Sequence, residues 1–150
     1  MLLVKTKLGP SAIEGLGLFA GEPIKAGTKI WVFEPTLDIL LSKQEVEALA
    51  LPAQQQFHTY ACLDKVRKKY LLCGDDARFF NHSEKPNCDE ATSNDATFAL
   101  KDIALGEELI VNHRECYDNM DEHPEIPRAV MRQGVDKGGT LLLHLMACLP

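Results

Sequence analysis

The chain has no Cys-x-x-Cys pair, no excess of basic residues and no apolar run near the roughly 18 residues that a bilayer span needs. Each absence closes a class of function. Without a long apolar run there is no candidate membrane helix, and no membrane partner is expected. Met1-Leu2-Leu3-Val4-Lys5 also lacks the basic-then-apolar order of a secretory signal. The five cysteines, Cys62, Cys73, Cys88, Cys116 and Cys148, are odd in number and irregularly spaced. That argues for free thiols in a reducing compartment instead of a disulfide frame. With 16 Lys and Arg against 22 Asp and Glu, the formal net charge is -6. Direct nucleic-acid binding is therefore not expected, since it draws on clustered basic residues. No basic import signal stands out, so the expected address is intracellular, with the cytoplasm as default and the nucleus left open. An acidic surface suits a basic protein or peptide, although mild acidity also serves solubility alone.

What is present fits one folded unit. A chain of 150 residues with a 45% hydrophobic share is long enough to bury a core without staples. Phe19-Ala20, Ile24, Gly27, Ile30 and Val32 recur 79 residues later as Phe98-Ala99, Ile103, Gly106, Leu109 and Val111. Each copy reads as a short strand, a Gly-bearing turn and an alternating strand, which predicts similar local structure in a mostly β protein. Further strands are expected over Leu2 to Lys7 and Lys69 to Cys73. Between the copies, Ser42 and Glu45 form a capping-box pattern, with Leu41 as a staple, Val46 and Leu49 as the apolar face and Pro52 as the stop. A second short helix is expected from Ala53 to about Tyr60. After His113 the sequence turns acidic and is broken by Pro124 and Pro127. Arg128 to Gln133 reads as a helical turn closed by Gly134. Thr140 to Leu149 is strongly apolar and calls for burial, either on its own domain or in a partner, a second copy of the chain being one such partner.

Two motifs carry chemistry. Gly15-Leu16-Gly17-Leu18-Phe19-Ala20 matches the spacing of a dinucleotide fingerprint, but that motif needs a helix at its second glycine to receive a pyrophosphate. Gly21, Pro23 and Gly27 follow at once, so that reading fails. Glycines here let backbone approach a ligand closely instead. The second motif is Arg78-Phe79-Phe80-Asn81-His82-Ser83, followed by Pro86-Asn87-Cys88. Turn chemistry accounts for Pro86-Asn87; it leaves Asn81-His82-Ser83 after two aromatics unexplained. Near the end stands a third block, Gly106-Glu107-Glu108-Leu109.

The three blocks, in this order over about residues 4 to 117, resemble the signature of SET-domain protein lysine methyltransferases. The resemblance implies a mainly β fold of the β-clip or SET type, with several small sheets and a knot-like C-terminal threading. It implies a SET domain over residues 1–117, a helical insert at about 42–60, and a post-SET-like tail over 118–150. The implied cofactor is S-adenosyl-L-methionine, held by Glu14, Gly15, Leu16, Gly17 and Leu18 mainly through backbone, and by Arg78, Phe79, Asn81, His82 and Tyr117. The implied reaction is transfer of a methyl group to a lysine side chain of a histone or other basic protein. The family's usual Asp-Tyr after the Gly-Glu-Glu-Leu block is Asn112-His113 here, so the catalytic candidates are His113, Tyr60 and Tyr117. Imidazole is a base near neutral pH; the same departure also fits a weak or inactive module that binds cofactor or peptide. Many members place a zinc-ligating Cys after Asn-His-Ser. Glu84 stands there instead, and the tail holds only Cys116 and Cys148, so no metal is expected.

Overall fold

The computed structural model of the chain describes residues 1–64, 67–89 and 95–113. In chain order these form β1 (Thr6–Pro10), β2 (Leu16–Ala20), β3 (Lys29–Val32), β4 (Ile39–Leu41), α1 (Lys43–Glu47), α2 (Leu51–Tyr60), β5 (Cys62–Asp64), β6 (Lys69–Leu72), a 3-10 turn (Asp76–Phe79), β7 (Asn81–His82), β8 (Cys88–Asp89), β9 (Ala96–Ala99) and β10 (Ile110–Val111). The strands make several small sheets: a β1-β2 hairpin, β3-β9-β8, β4-β6-β5, and the parallel pair β10-β7. This is the mainly β architecture of small sheets that the sequence implied. The expectations for residues 114–150, Tyr117 among them, lie outside the described residues.

The sequence echo has a structural counterpart. Ile24 and Ile103 pair antiparallel and exchange both backbone hydrogen bonds, at 2.9 and 2.8 Å. On either side of that pair the bonds repeat with the two copies swapped. Gly27 N donates to Ala99 O as Gly106 N donates to Ala20 O, both at 2.8 Å; Ala99 N donates to Thr28 O as Ala20 N donates to Glu107 O, both at 2.9 Å. The turn glycines share one left-handed conformation, φ 79° at Gly27 and 81° at Gly106, a region costly for side-chain-bearing residues. Each copy thus closes on the other through backbone bonds. Ile24, Ile30, Ile103 and Leu109 pack beneath them, with Leu18 and Val111, in the principal core.

Two expectations need correcting. Residues 2–7 do not form one strand. Leu2 pairs with Trp31 and its N–H is taken by the Asp75 carboxylate at 2.6 Å. Lys5 O then accepts from Gly21 N, and β1 begins only at Thr6. Pro52 does not stop a helix; it stands in the first turn of α2, where a missing N–H costs nothing and the fixed φ is already helical. The preceding helix has ended at Glu47. Its start is as read: Ser42 Oγ accepts from Glu45 N, and the Glu45 carboxylate accepts from Ser42 N. Leu41 and Leu49 pack on Val46, Phe57, Tyr70 and Leu72 in a second, smaller core. The insert therefore folds on β6 with a core of its own.

The last described strand is gripped from two sides. β10 runs parallel to β7, with Ile110 opposite Asn81 and Val111 opposite His82. Across it, Asn87 N donates to Ile110 O at 3.1 Å, and Ile110 N donates to Asn87 Oδ1 at 2.8 Å. Both limbs of the 81–88 loop thus hold β10.

Candidate functional site

The 3-10 turn sets the direction of the Asn81 segment. Asp75 caps it, its Oδ1 accepting from Ala77 N at 3.0 Å. Ala77 and Phe80 enter the principal core, and extended backbone alternates its side chains. With Phe80 inward, Asn81 faces the β1-β2 turn.

There Asn81 Nδ2 lies within donating distance of three oxygens: Glu108 Oε1 at 2.8 Å, and the backbone carbonyls of Glu14 and Leu16 at 3.2 Å each. One side chain joins all three sequence blocks. The amide orientation follows from chemistry, since exchanging its O and N would aim an acceptor at three acceptors. Among the described residues Asn81 Oδ1 makes no hydrogen bond. Glu108 is held in turn by Ser11, whose hydroxyl donates to Oε2 at 3.0 Å. The carboxylate lies against Gly17, where a Cβ would come 2.8 Å from Glu108 Cδ. Here the second glycine of the block makes room for a side chain.

His82 and His113 stack with centroids 5.8 Å apart. His82 Nδ1 accepts from His113 N at 3.2 Å, so its ring satisfies a backbone amide. Burial first, and the neighbouring His82 second, push the His113 imidazole down to about 4, against a smaller upward pull from a hydrogen bond with the Phe80 backbone. It is neutral at physiological pH, and a titration expected near 6.5 moves to about 4. Asn87, only 3% exposed, is a structural node: its Nδ2 donates to Glu108 O at 2.7 Å and Glu107 Oε1 at 3.2 Å.

The remaining candidates divide by place. Glu14 and Gly15 lie in an exposed turn and Leu16, also exposed, opens β2, with Gly15 at φ 46° and open space beside its Cα. Gly17 and Leu18 are buried in β2; the Leu18 side chain is in the core and its carbonyl accepts from Leu109 N at 2.7 Å. Arg78 lies over the Phe79 ring at 5.5 Å, and no carboxylate pairs with it among the described residues. Tyr60, at the end of α2, is exposed and meets Phe79 edge-on at 5.5 Å. Tyr70 is buried in β6 against the insert, where desolvation raises its phenol above the usual range. Sequence reasoning passed over Ser11, the Glu108 carboxylate and the Asn87 amide. The latter two stand inside quoted motifs, whereas Ser11 carries no signal beyond a polar residue in a turn.

The SET domain profile matches residues 15–114. The chain belongs to the SET-domain family. Solved structures share the fold. One is a Plasmodium falciparum candidate histone methyltransferase, 22% identical, with TM-score 0.53, 74% of this chain and 94% of that one being covered. Another is a humanised Chaetomium thermophilum Polycomb Repressive Complex 2 bound to an inhibitor, 24% identical with TM-score 0.55; 77% of this chain and 16% of that one are covered. The same fungal complex in an apo form aligns with TM-score 0.59 at 23% identity, again over 16% of its chain. No curated protein sequence matches the chain.

SET-domain methyltransferases generally use S-adenosylmethionine, and the polar groups here suit its amino-acid end. An ammonium needs an acceptor, which Asn81 Oδ1 offers; a carboxylate needs a cation, which Arg78 offers. The bare backbone at Gly15 leaves room for a close approach.

Proposed function

We propose that this chain transfers a methyl group from S-adenosylmethionine to the side-chain amine of a lysine in a basic protein. The observation that carries the reading is the junction at Asn81, where the glycine turn, the Asn-His segment and the Glu108 strand meet around one outward acceptor. Bound there, the cofactor supplies an electrophilic methyl group. The chain's own work is positioning and control of the acceptor's proton. A free lysine amine titrates near ~10.4 and must lose its proton before it can attack. An apolar approach disfavours the ammonium by desolvation. Tyr60 is the described tyrosine beside the motif segment, and its hydroxyl is the candidate for orienting the amine. The net charge of -6 supports a basic substrate through long-range attraction.

Replacing Asn81 with Ala is expected to abolish cofactor binding in calorimetry at concentrations that saturate the native protein. Unchanged affinity removes the site assignment. One observation favours a second reading, a SET-fold module that binds without turning over. By the resemblance His113 stands where the family usually has its tyrosine, and its half-buried imidazole stacks on His82. Radiolabelled cofactor incubated with basic proteins and whole-cell extract separates the two. Label on lysine, located by product mass analysis, supports the enzyme; intact cofactor binding without label supports the module.

A further inference from the structure

We infer that Ser11 and Glu108 form a positioning relay that fixes the Asn81 amide and thereby makes the pocket select for a ligand ammonium. This rests on the cofactor reading above and adds what sets its specificity.

The relay follows from counting hydrogens. Ser11 Oγ accepts from Ile13 N at 2.9 Å and from Glu14 N at 3.4 Å, so its lone pairs are engaged and its hydrogen goes to Glu108 Oε2. The carboxylate, held at that oxygen and seated over Gly17, presents Oε1 to Asn81 Nδ2 at 2.8 Å. The Glu14 and Leu16 carbonyls face the same nitrogen. Every neighbour on that side is an acceptor, so Oδ1 must point away, and whatever meets it must donate. An ammonium does so with charge assistance; a ligand lacking it leaves Oδ1 facing an apolar group. Glu108 and Ser11 touch no ligand in this scheme and act through Asn81.

Glu108→Gln keeps the shape and breaks the logic. One end of the new amide is a donor, and it faces either the Asn81 NH2 or a Ser11 oxygen whose lone pairs are already used. The Asn81 amide then keeps only the two backbone carbonyls, at 3.2 Å each, to set its orientation, having lost its shortest acceptor. The test compares calorimetric affinities for S-adenosylhomocysteine and for the analogue with hydrogen in place of the α-amine. The native protein is expected to prefer the amine roughly 10- to 100-fold, the range of one charge-assisted hydrogen bond. Glu108→Gln is expected to reduce that preference to within about 3-fold while keeping affinity for the analogue. Ser11→Ala is expected to erode the preference, and Ser11→Thr, which keeps the hydroxyl, to restore it. A purely structural role would weaken both ligands alike. Equal preference in native and variant proteins overturns the relay, as does a native preference near one. Failure of the native protein to bind either probe defeats the cofactor reading instead. The ligand-free proteins supply an independent readout: the Asn81 side-chain amide protons, followed by NMR, should exchange with solvent faster in Glu108→Gln and Ser11→Ala than in the native chain. Identical exchange overturns the relay whatever the ligands do.

Discussion

Residues 19–32 and 98–111 follow the same course, yet the polar site belongs to the second. Their turns carry the same glycine conformation, their backbone bonds match one for one, and Ile30 and Leu109 are both fully buried. The register agrees too: Glu108 lies opposite Phe19, and Lys29 lies opposite Phe98. What differs is the side chain at that matched position. Glu108 turns to Ser11 and Asn81; Lys29 is exposed, its Nζ 5.6 Å above the Phe98 ring. The backbone frame is indifferent to this choice because the matched bonds are main-chain. Function is added to such a frame by side chains at particular positions, and the two copies separate frame from function within one molecule.

The sharpest way to pull the copies apart is to empty the matched core positions. Ile30→Ala and Leu109→Ala should each cost about 2–5 kcal/mol, the range for truncating a fully buried aliphatic side chain. Urea denaturation should show both. Affinity for S-adenosylhomocysteine should fall in Leu109→Ala alone, because Leu109 follows Glu108 and leads into β10. Equal affinity losses would mean that the copies are coupled so tightly that site and frame cannot be separated.

The turn glycines test the frame by itself. A Cβ at Gly27 or Gly106 meets no atom within 4 Å, so Ala there costs only backbone strain, about 1–2 kcal/mol. The two losses should agree within about 0.5 kcal/mol in urea midpoints, close to the error of such comparisons. A large inequality would show that the matched bonds carry unequal load.

At the end of the second copy stands His113, whose proton affinity is lowered in the fold to about 4 from an ordinary 6.5. The unfolded chain therefore holds a proton between those values that the native state refuses. His113 leaves stability flat above about 7 and reduces it as pH falls from about 6.5 toward 4. A loss of roughly 2 kcal/mol between pH 7 and 5 is expected for the native protein, and less for His113→Gln. If His113 acted as a general base with an ordinary imidazole, activity would instead rise through 6.5; a flat profile there is expected.

This contrast explains how much could be read from the residues alone. The frame was legible because turn glycines and alternating apolar residues are local signals: Gly27, Gly106 and the 79-residue offset stand in the sequence itself. The insert helix was legible for the same reason, since Ser42 and Glu45 cap it within four residues. The site was legible only in part. Asn81 was found through its neighbours in sequence, but its partner Glu108 is held by Ser11 from 97 residues away, and no local pattern announces such a contact. Proline misled at Pro52 because the same ring that ends one helix is tolerated in the first turn of the next. His113 misled on its pH range because burial and the adjoining His82 are set by packing, to which sequence is blind.

The smallest expected effect is the most exacting for the comparison. Lys29→Ala removes an exposed charge whose described contact is the Phe98 ring. Such a contact at an exposed site is worth about 0.5–1 kcal/mol at most, and the loss of one positive charge leaves the Asn81 cluster untouched. Stability should shift by no more than about 1 kcal/mol, and affinity for S-adenosylhomocysteine should not change. Glu108→Ala, at the matched position, should lower that affinity severalfold, since it frees the Asn81 amide that the outward acceptor depends on. Should Lys29→Ala weaken ligand binding as much, the side chain at this register position would be acting through the shared frame, and the division between backbone frame and side-chain site would not hold.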